Sequence, residues 1–224
     1  METPDPKARD KKSEHAFTLV ELIIVLAGLL FLAAIFLSPT GIPRSRGRSQ
    51  RINCVNNLKQ IGLGYRTFSL DNQDCYPMQT AMTNGGTLEL AAFAPAYLHF
   101  QVMSNELTTP KILVCPEDKN RTAATNWISD LFNGKLSYFV GISANETNAQ
   151  MLLSGDRNIT NGQPANSRFI DLTTNRPAGW TADIHQLQGN VGLADGSVQQ
   201  LSSSRLRAQM AGTGDLTNRL AMPY

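Results

Sequence analysis

Four polar residues toward the C-terminal end, Asp156, Asp183, His185 and Asp195, have the types and grouping of a hard-cation site. A calcium ion takes about six to eight oxygen ligands, which these carboxylates and nearby loop carbonyls would supply. The structural reading of the same residues is that Asp195-Gly196 makes a tight turn between two apolar runs and His185 hydrogen-bonds a neighbouring strand. Histidine is a poor calcium ligand and no EF-hand spacing is present, so calcium and a plain hairpin both remain open. Catalysis has less support. A nucleophile needs an adjacent base and a third group to orient it. Ser197 follows Asp195-Gly196 but sits in no Gly-x-Ser-x-Gly, and beyond His15 only His99 and His185 offer an imidazole. The chain therefore reads as non-enzymatic. Cys54, Cys75 and Cys115 contain no Cys-x-x-Cys pair, and their spacing with the histidines builds no four-ligand zinc pattern.

One further residue demands a chemical explanation. Glu21 is the single charge in Phe17–Leu37, FTLVELIIVLAGLLFLAAIFL, a run without proline. As a helix this run is about 30 Å long at roughly 1.5 Å per residue, the hydrocarbon thickness of a bilayer. Within that slab the backbone must satisfy itself, which a single span does only as a helix. A carboxylate there costs at least about 2.5 kcal/mol and is expected to find a partner.

The order Ala16-Phe17-Thr18-Leu19-Val20-Glu21, after a polar leader of residues 1–16, resembles the processing motif of type IV prepilins and type II secretion pseudopilins. Their signature is a small residue, usually Gly, before Phe-Thr-Leu-x-Glu and an apolar helix. The resemblance implies cleavage after Ala16 by a prepilin peptidase and N-methylation of Phe17. It also implies that Glu21 pairs with the terminal amine of a neighbouring subunit. Ala16 departs from the usual Gly. Further along, Cys54-Val55-Asn56-Asn57-Leu58-Lys59-Gln60-Ile61-Gly62, Asp71-Asn72, Tyr76-Pro77, Cys115-Pro116-Glu117-Asp118 and Gly155-Asp156-Arg157-Asn158 appear in turn. His185 stands nine residues before Asp195-Gly196. This order resembles a large pilin-like group with a C-terminal His, nine residues, then Asp-Gly (H-x9-DG). That resemblance favours a Cys54–Cys115 disulfide, with Cys75–Cys115 second and three free thiols still open. Some secretion pseudopilins bind calcium in C-terminal loops, which gives the cation reading an analogue.

The elements that must position these residues follow from periodicity. Ser38-Pro39-Thr40-Gly41-Ile42-Pro43 should kink or end the first helix. Over Arg44–Leu70 apolar residues at Ile52, Val55, Leu58, Ile61 or Gly62, Tyr65 and Phe68 predict an amphipathic helix lying on a globular body. Thr87–Phe100 has helix formers broken at Pro95, Lys111–Cys115 reads as a short buried strand, and Asn126–Phe132 as a helical turn or two. Strands are expected at Leu136–Ile142, Gln150–Ser154, Asn190–Ala194 and Ser197–Leu201, and a weaker one at Arg168–Leu172. A two-residue Asp195-Gly196 hairpin would set Leu193 opposite Val198, with Val191 on their side. Ser202–Ser204 can cap a helix carrying Leu206 and Met210, and residues 212–224 read as a loose tail. The fold class is α+β: a long N-terminal helix, then loops, then a small antiparallel sheet. The organisation is a leader at 1–16, a transmembrane and assembly helix at 17–37, a linker and amphipathic helix at 38–70, and a head at 71–224.

Composition sets the outer bounds. The chain has 224 residues, 17 % charged, with net charge +2, which gives no basic surface for nucleic acid. Lys7, Arg9, Lys11 and Lys12 before the apolar run balance Arg44, Arg46, Arg48 and Arg51 after it, so the positive-inside rule does not orient it. The family resemblance does: leader in the cytoplasm, helix in the inner membrane, head outside. The expected function is a structural, membrane-anchored pilin-like subunit whose partners are a prepilin peptidase and other pilin-like subunits. The alternative is a surface-anchored binding domain that never polymerises, with or without calcium. Trp127 and Trp180 are either sugar-stacking platforms for such a domain or ordinary core.

Overall fold

Helix α1 (Leu19–Phe36) has 18 residues, a mean hydropathy of 2.9 and no buried side chain. It is about 27 Å long by its rise per residue, long and apolar enough to cross a membrane. The structure is a computed structural model and describes residues 18–36, 42–163 and 167–224. The leader, Ala16, Phe17 and the Ser38–Gly41 part of the expected interruption lie outside the described residues.

From Ser45 onward the chain forms a second unit. It is headed by α2 (Ile42–Asp71), whose inward stripe is Cys54, Leu58, Ile61, Tyr65 and Phe68. The spacing of three and four residues is that of one helix face. The expected stripe is correct from Leu58 on but rotated before it. Ile52 is 51 % exposed, and Cys54 takes the inner position because its sulfur is tied into the core.

The remaining elements are α3 (Ala96–Gln101), α4 (Ser104–Leu107), β1 (Tyr138–Gly141), β2 (Leu152–Asp156), β3 (Ile159–Thr160), β4 (Phe169–Thr173), β5 (Gly179–Trp180), β6 (Gln188–Leu193), β7 (Val198–Ser202), α5 (Ser203–Gly212) and β8 (Thr217–Ala221). Six strands make one antiparallel sheet in the order β4-β8-β1-β2-β6-β7, and β3 pairs with β5 beside it. Alternation along the strands builds two apolar layers. Tyr138, Val140, Leu153 and Ala221 join the α2 stripe with Tyr76, Phe100 and Leu113. Phe139, Leu152, Val191, Leu193 and Leu220 face the other way, under Leu206 and Met210 of α5 and Trp180. Trp180 is core, and Trp127 packs against the opposite layer.

Four local expectations are corrected. Lys111–Cys115 is not a strand; Pro110–Leu113 forms a 3-10 turn. Proline at its first position has no N–H to miss, and Thr109 Oγ1 accepts from Lys111 N at 3.4 Å. Residues 212–224 are not a loose tail, because β8 is inserted between β4 and β1 and buries Leu220, Ala221 and Met222. Its period-two pattern is masked in sequence by Asn218, a buried amide that donates to Thr213 Oγ1 at 3.3 Å. The β6–β7 loop has three residues, with Gly192 opposite Val198, Leu193 N donating to Ser197 O at 2.9 Å, and Gly196 at φ 83°. That is a turn closed by a glycine in the left-handed region rather than a two-residue hairpin. The one-residue shift puts Leu193 and Val198 in opposite layers. Among the described residues Asn126–Phe132 holds turns but no helix.

Candidate functional site

Four separate segments converge on the imidazole of His185. α2 supplies Cys54 and Arg51. The segment after the 3-10 turn supplies Cys115, Glu117 and Asp118. The end of β2 supplies Asp156, with Arg157 and Asn158 following, and Asn190 comes from β6. Cys54 and Cys115 are joined by a disulfide and both sulfurs are fully buried. His185 Nε2 lies 3.4 Å from Cys115 Sγ and 3.3 Å from Asp156 Oδ2. On its other edge Nδ1 is 2.5 Å from Glu117 Oε2. Asp156 Oδ2 accepts from Asn190 N at 2.7 Å and Asn190 Nδ2 at 2.8 Å, while buried Oδ1 has no hydrogen-bond partner.

The electrostatics follow from burial. Loss of water pushes the Asp156 carboxyl up to about 7, against the two Asn190 hydrogen bonds that favour its charged form. Burial also lowers His185, opposed by Glu117. Both groups thus lean toward neutrality. With Nδ1–H donated to Glu117, the Nε2 lone pair faces a carboxyl oxygen and a sulfur, all of them acceptors, so a positive particle belongs between Nε2 and Oδ2.

The loop carrying His185 is held against its own backbone preference. His185, Gln186 and Leu187 have φ of 57°, 52° and 63° in succession, a conformation that costs a non-glycine residue about 1–2 kcal/mol. Asn158 Nδ2 points at the carbonyls of Thr181, Ile184 and Gln188 at 3.0, 2.8 and 3.0 Å. Arg51 Nη2 donates to the His185 carbonyl at 2.8 Å and Nη1 to Gln188 Oε1 at 2.7 Å. The neighbouring Arg157 and Asp118 form a buried two-point pair, Nε–Oδ2 2.7 Å and Nη2–Oδ1 2.9 Å, with Ser137 Oγ donating to Oδ2 at 2.9 Å. Burial works to raise the Asp118 carboxyl, but Arg157 outweighs it and holds it below its ordinary value. Glu117, Lys119, Asp183 and His185 border a cleft of about 340 Å³ that opens to solvent.

The four residues read from sequence as a cation site do not converge. Asp156 and His185 meet. Asp183 is half exposed and lies 3.8 Å from Arg157 Nη1. Asp195 sits at the far end of β6, where Oδ1 accepts from Ser197 N at 2.8 Å and its own N donates to Ala149 O at 3.2 Å. Five strand positions separate it from Asn190, about 17 Å at roughly 3.3 Å per residue, too far to share an ion. Sequence reasoning missed Glu117, Asn158 and Asn190. The usable signal lay in the two tetrapeptides, because Cys-Pro-Glu-Asp and Gly-Asp-Arg-Asn carry opposite charges that pair here as Asp118 with Arg157.

In the first unit, Glu21 has a local partner. Its Oε2 accepts from Thr18 N and Thr18 Oγ1, both at 2.9 Å, and Thr18 Oγ1 accepts from Glu21 N at 3.3 Å. This is a capping box, with Thr18 before the first turn and Glu21 at its third position. Comparison with models of protein families, with curated proteins and with solved structures finds no match.

Proposed function

We propose that this chain is a pilin-like subunit of a type II secretion or type IV pilus-like assembly. Phe17–Leu37 holds it in the inner membrane with the head outside. A prepilin peptidase cuts after Ala16 and the new Phe17 terminus is methylated. The observation that carries this reading is the Thr18–Glu21 box opening an apolar helix, in a chain whose second helix shares its buried stripe with one face of an antiparallel sheet. In this reading Glu21 has two uses. Its Oε2 caps the helix of its own chain, and its carboxylate then receives the terminal amine of the next subunit, which sets register where burial alone would not. Lipid already shields the apolar stem, so area at about 25 cal/mol per Å² overstates what packing stems together gains.

The test is the mass of the native N-terminus of protein taken from its membrane. Loss of sixteen residues and gain of one methyl group at Phe17 is the expected result; an intact Met1 would sink the proposal. Glu21→Ala is expected to insert normally and fail to assemble. A second reading, an anchored binding domain that never polymerises, draws on the solvent-open cleft beside Glu117 and Lys119. It predicts the unprocessed terminus.

A further inference from the structure

We propose that reduction of the Cys54–Cys115 disulfide turns the cluster around His185 into a site for one zinc-class divalent cation, with Cys54 Sγ, Cys115 Sγ, His185 Nε2 and Asp156 Oδ2 as its ligands. This inference stands apart from the pilin-like reading, since it rests only on the head.

The geometry is close to what such an ion needs. Tetrahedral zinc with bonds near 2.3 Å to sulfur and 2.0–2.1 Å to nitrogen or oxygen sets neighbouring ligand atoms about 3.3–3.6 Å apart. The observed separations are 3.4 Å from Cys115 Sγ to His185 Nε2 and 3.3 Å from Nε2 to Asp156 Oδ2. The two sulfurs and the imidazole nitrogen all lie within 4.8 Å of one another; Asp156 Oδ2 is outside that set, meets the site through Nε2 alone, and would close on the sulfurs as the ion binds. Breaking the bond frees the sulfurs to separate to the roughly 3.8 Å edge of a two-thiolate site. The surrounding shell is already set. Glu117 accepts from Nδ1, which fixes the tautomer with Nε2 as the ligating atom. Asn190 orients the Asp156 carboxyl, whose other oxygen is buried and unpartnered. Nε2 and Oδ2 face one another at 3.3 Å, and a cation between them is coordinated by both.

The ligand set is soft, with two thiolates and an imidazole, and so selects zinc or cobalt over calcium or magnesium. The redox step balances. A dithiol gives two electrons and two protons to the sulfur–sulfur bond and closes to its own disulfide; the cation then displaces the two thiol protons. The disulfide and the metal use the same sulfurs and exclude one another. Each ties α2 to the segment at Cys115.

The test uses the full chain in detergent micelles with Cys75→Ser, reduced by a phosphine that leaves as its oxide, and titrated with Co²⁺. One Co²⁺ per chain is expected, with thiolate-to-metal charge-transfer absorption and the intense d–d bands of a tetrahedral ion, discharged by one equivalent of Zn²⁺. The oxidised chain should show none of this. Glu117→Gln should keep the spectrum and weaken affinity about 10–100-fold, as loss of a histidine's outer partner does. The proposal fails if the reduced chain shows no thiolate–cobalt absorption, if Cys54→Ser shows it undiminished, or if Glu117→Gln binds as tightly as its parent. Should reduction unfold the head, recovery of its near-ultraviolet circular dichroism on adding Zn²⁺ supports the site, and continued unfolding with Zn²⁺ overturns it.

Discussion

Removing the Cys54–Cys115 crosslink should cost a large share of the head's stability. The bond closes a loop of 61 residues, and restricting the unfolded chain by a loop of that size is worth about 4 kcal/mol in the chain-entropy account. Both sulfurs are fully buried, so Cys54→Ala with Cys115→Ala adds a small packing loss. The total is about 4–5 kcal/mol, against a whole-domain stability of roughly 5–15 kcal/mol. The measurement is urea unfolding of the oxidised parent and the double variant, with a chelator present so that no ion replaces the bond. Emission of buried Trp180 gives the signal. The midpoint should fall, and the dependence on urea should steepen, because a chain without the crosslink exposes more surface on unfolding. A stability change below about 1 kcal/mol would refute the reasoning, since the loop entropy would then have to be absent from the unfolded ensemble.

Other outcomes follow from named contacts. Asp118→Asn leaves buried Arg157 with only the half-exposed Asp183 carboxylate 3.8 Å away and should cost about 3–5 kcal/mol, whereas Asp118→Leu with Arg157→Met should cost much less; equal losses in denaturant titration would contradict this. Gly189→Ala places a methyl 2.2 Å from the Trp180 ring, so it should destabilise by about 1–3 kcal/mol and shift Trp180 emission; an unchanged melting temperature would count against it. His99 is buried with Thr87 Oγ1 2.8 Å from Nδ1, and burial lowers its pKa to about 4. The unfolded chain therefore takes up this proton first, near its ordinary 6.5. Stability should be full above pH 6.5 and fall by up to about 3 kcal/mol as pH drops toward 4. A His99→Gln variant with the same slope over that window would show that another group carries it.

Much of the molecule was open to reading from local pattern alone. The apolar run at Phe17–Leu37, the α2 stripe from Leu58 to Phe68 and the strands around Tyr138, Leu152, Val191 and Val198 each follow from short-range periodicity, whereas the Thr18 partner of Glu21 was not read from it. The strand at Leu220 was missed because buried Asn218 puts a polar residue on its inward face, and the one at Phe169 read only weakly because it is five residues long with two buried apolar positions, Ile170 and Leu172. The β6–β7 register was lost by one residue, since Asp-Gly closes two- and three-residue loops alike.

By its residues alone the chain determines an apolar N-terminal stem, an α+β head and which polar residues are available for chemistry. Periodicity and spacing are local properties, and a linear sequence holds them completely. Which polar residues meet was decided only in three dimensions. His185 belongs with Cys115, Glu117 and Asp156, from segments about 30 to 70 positions away, and not with Asp195, ten positions on. A strand carries near neighbours apart at about 3.3 Å per residue, while antiparallel pairing and a disulfide bring distant ones into contact.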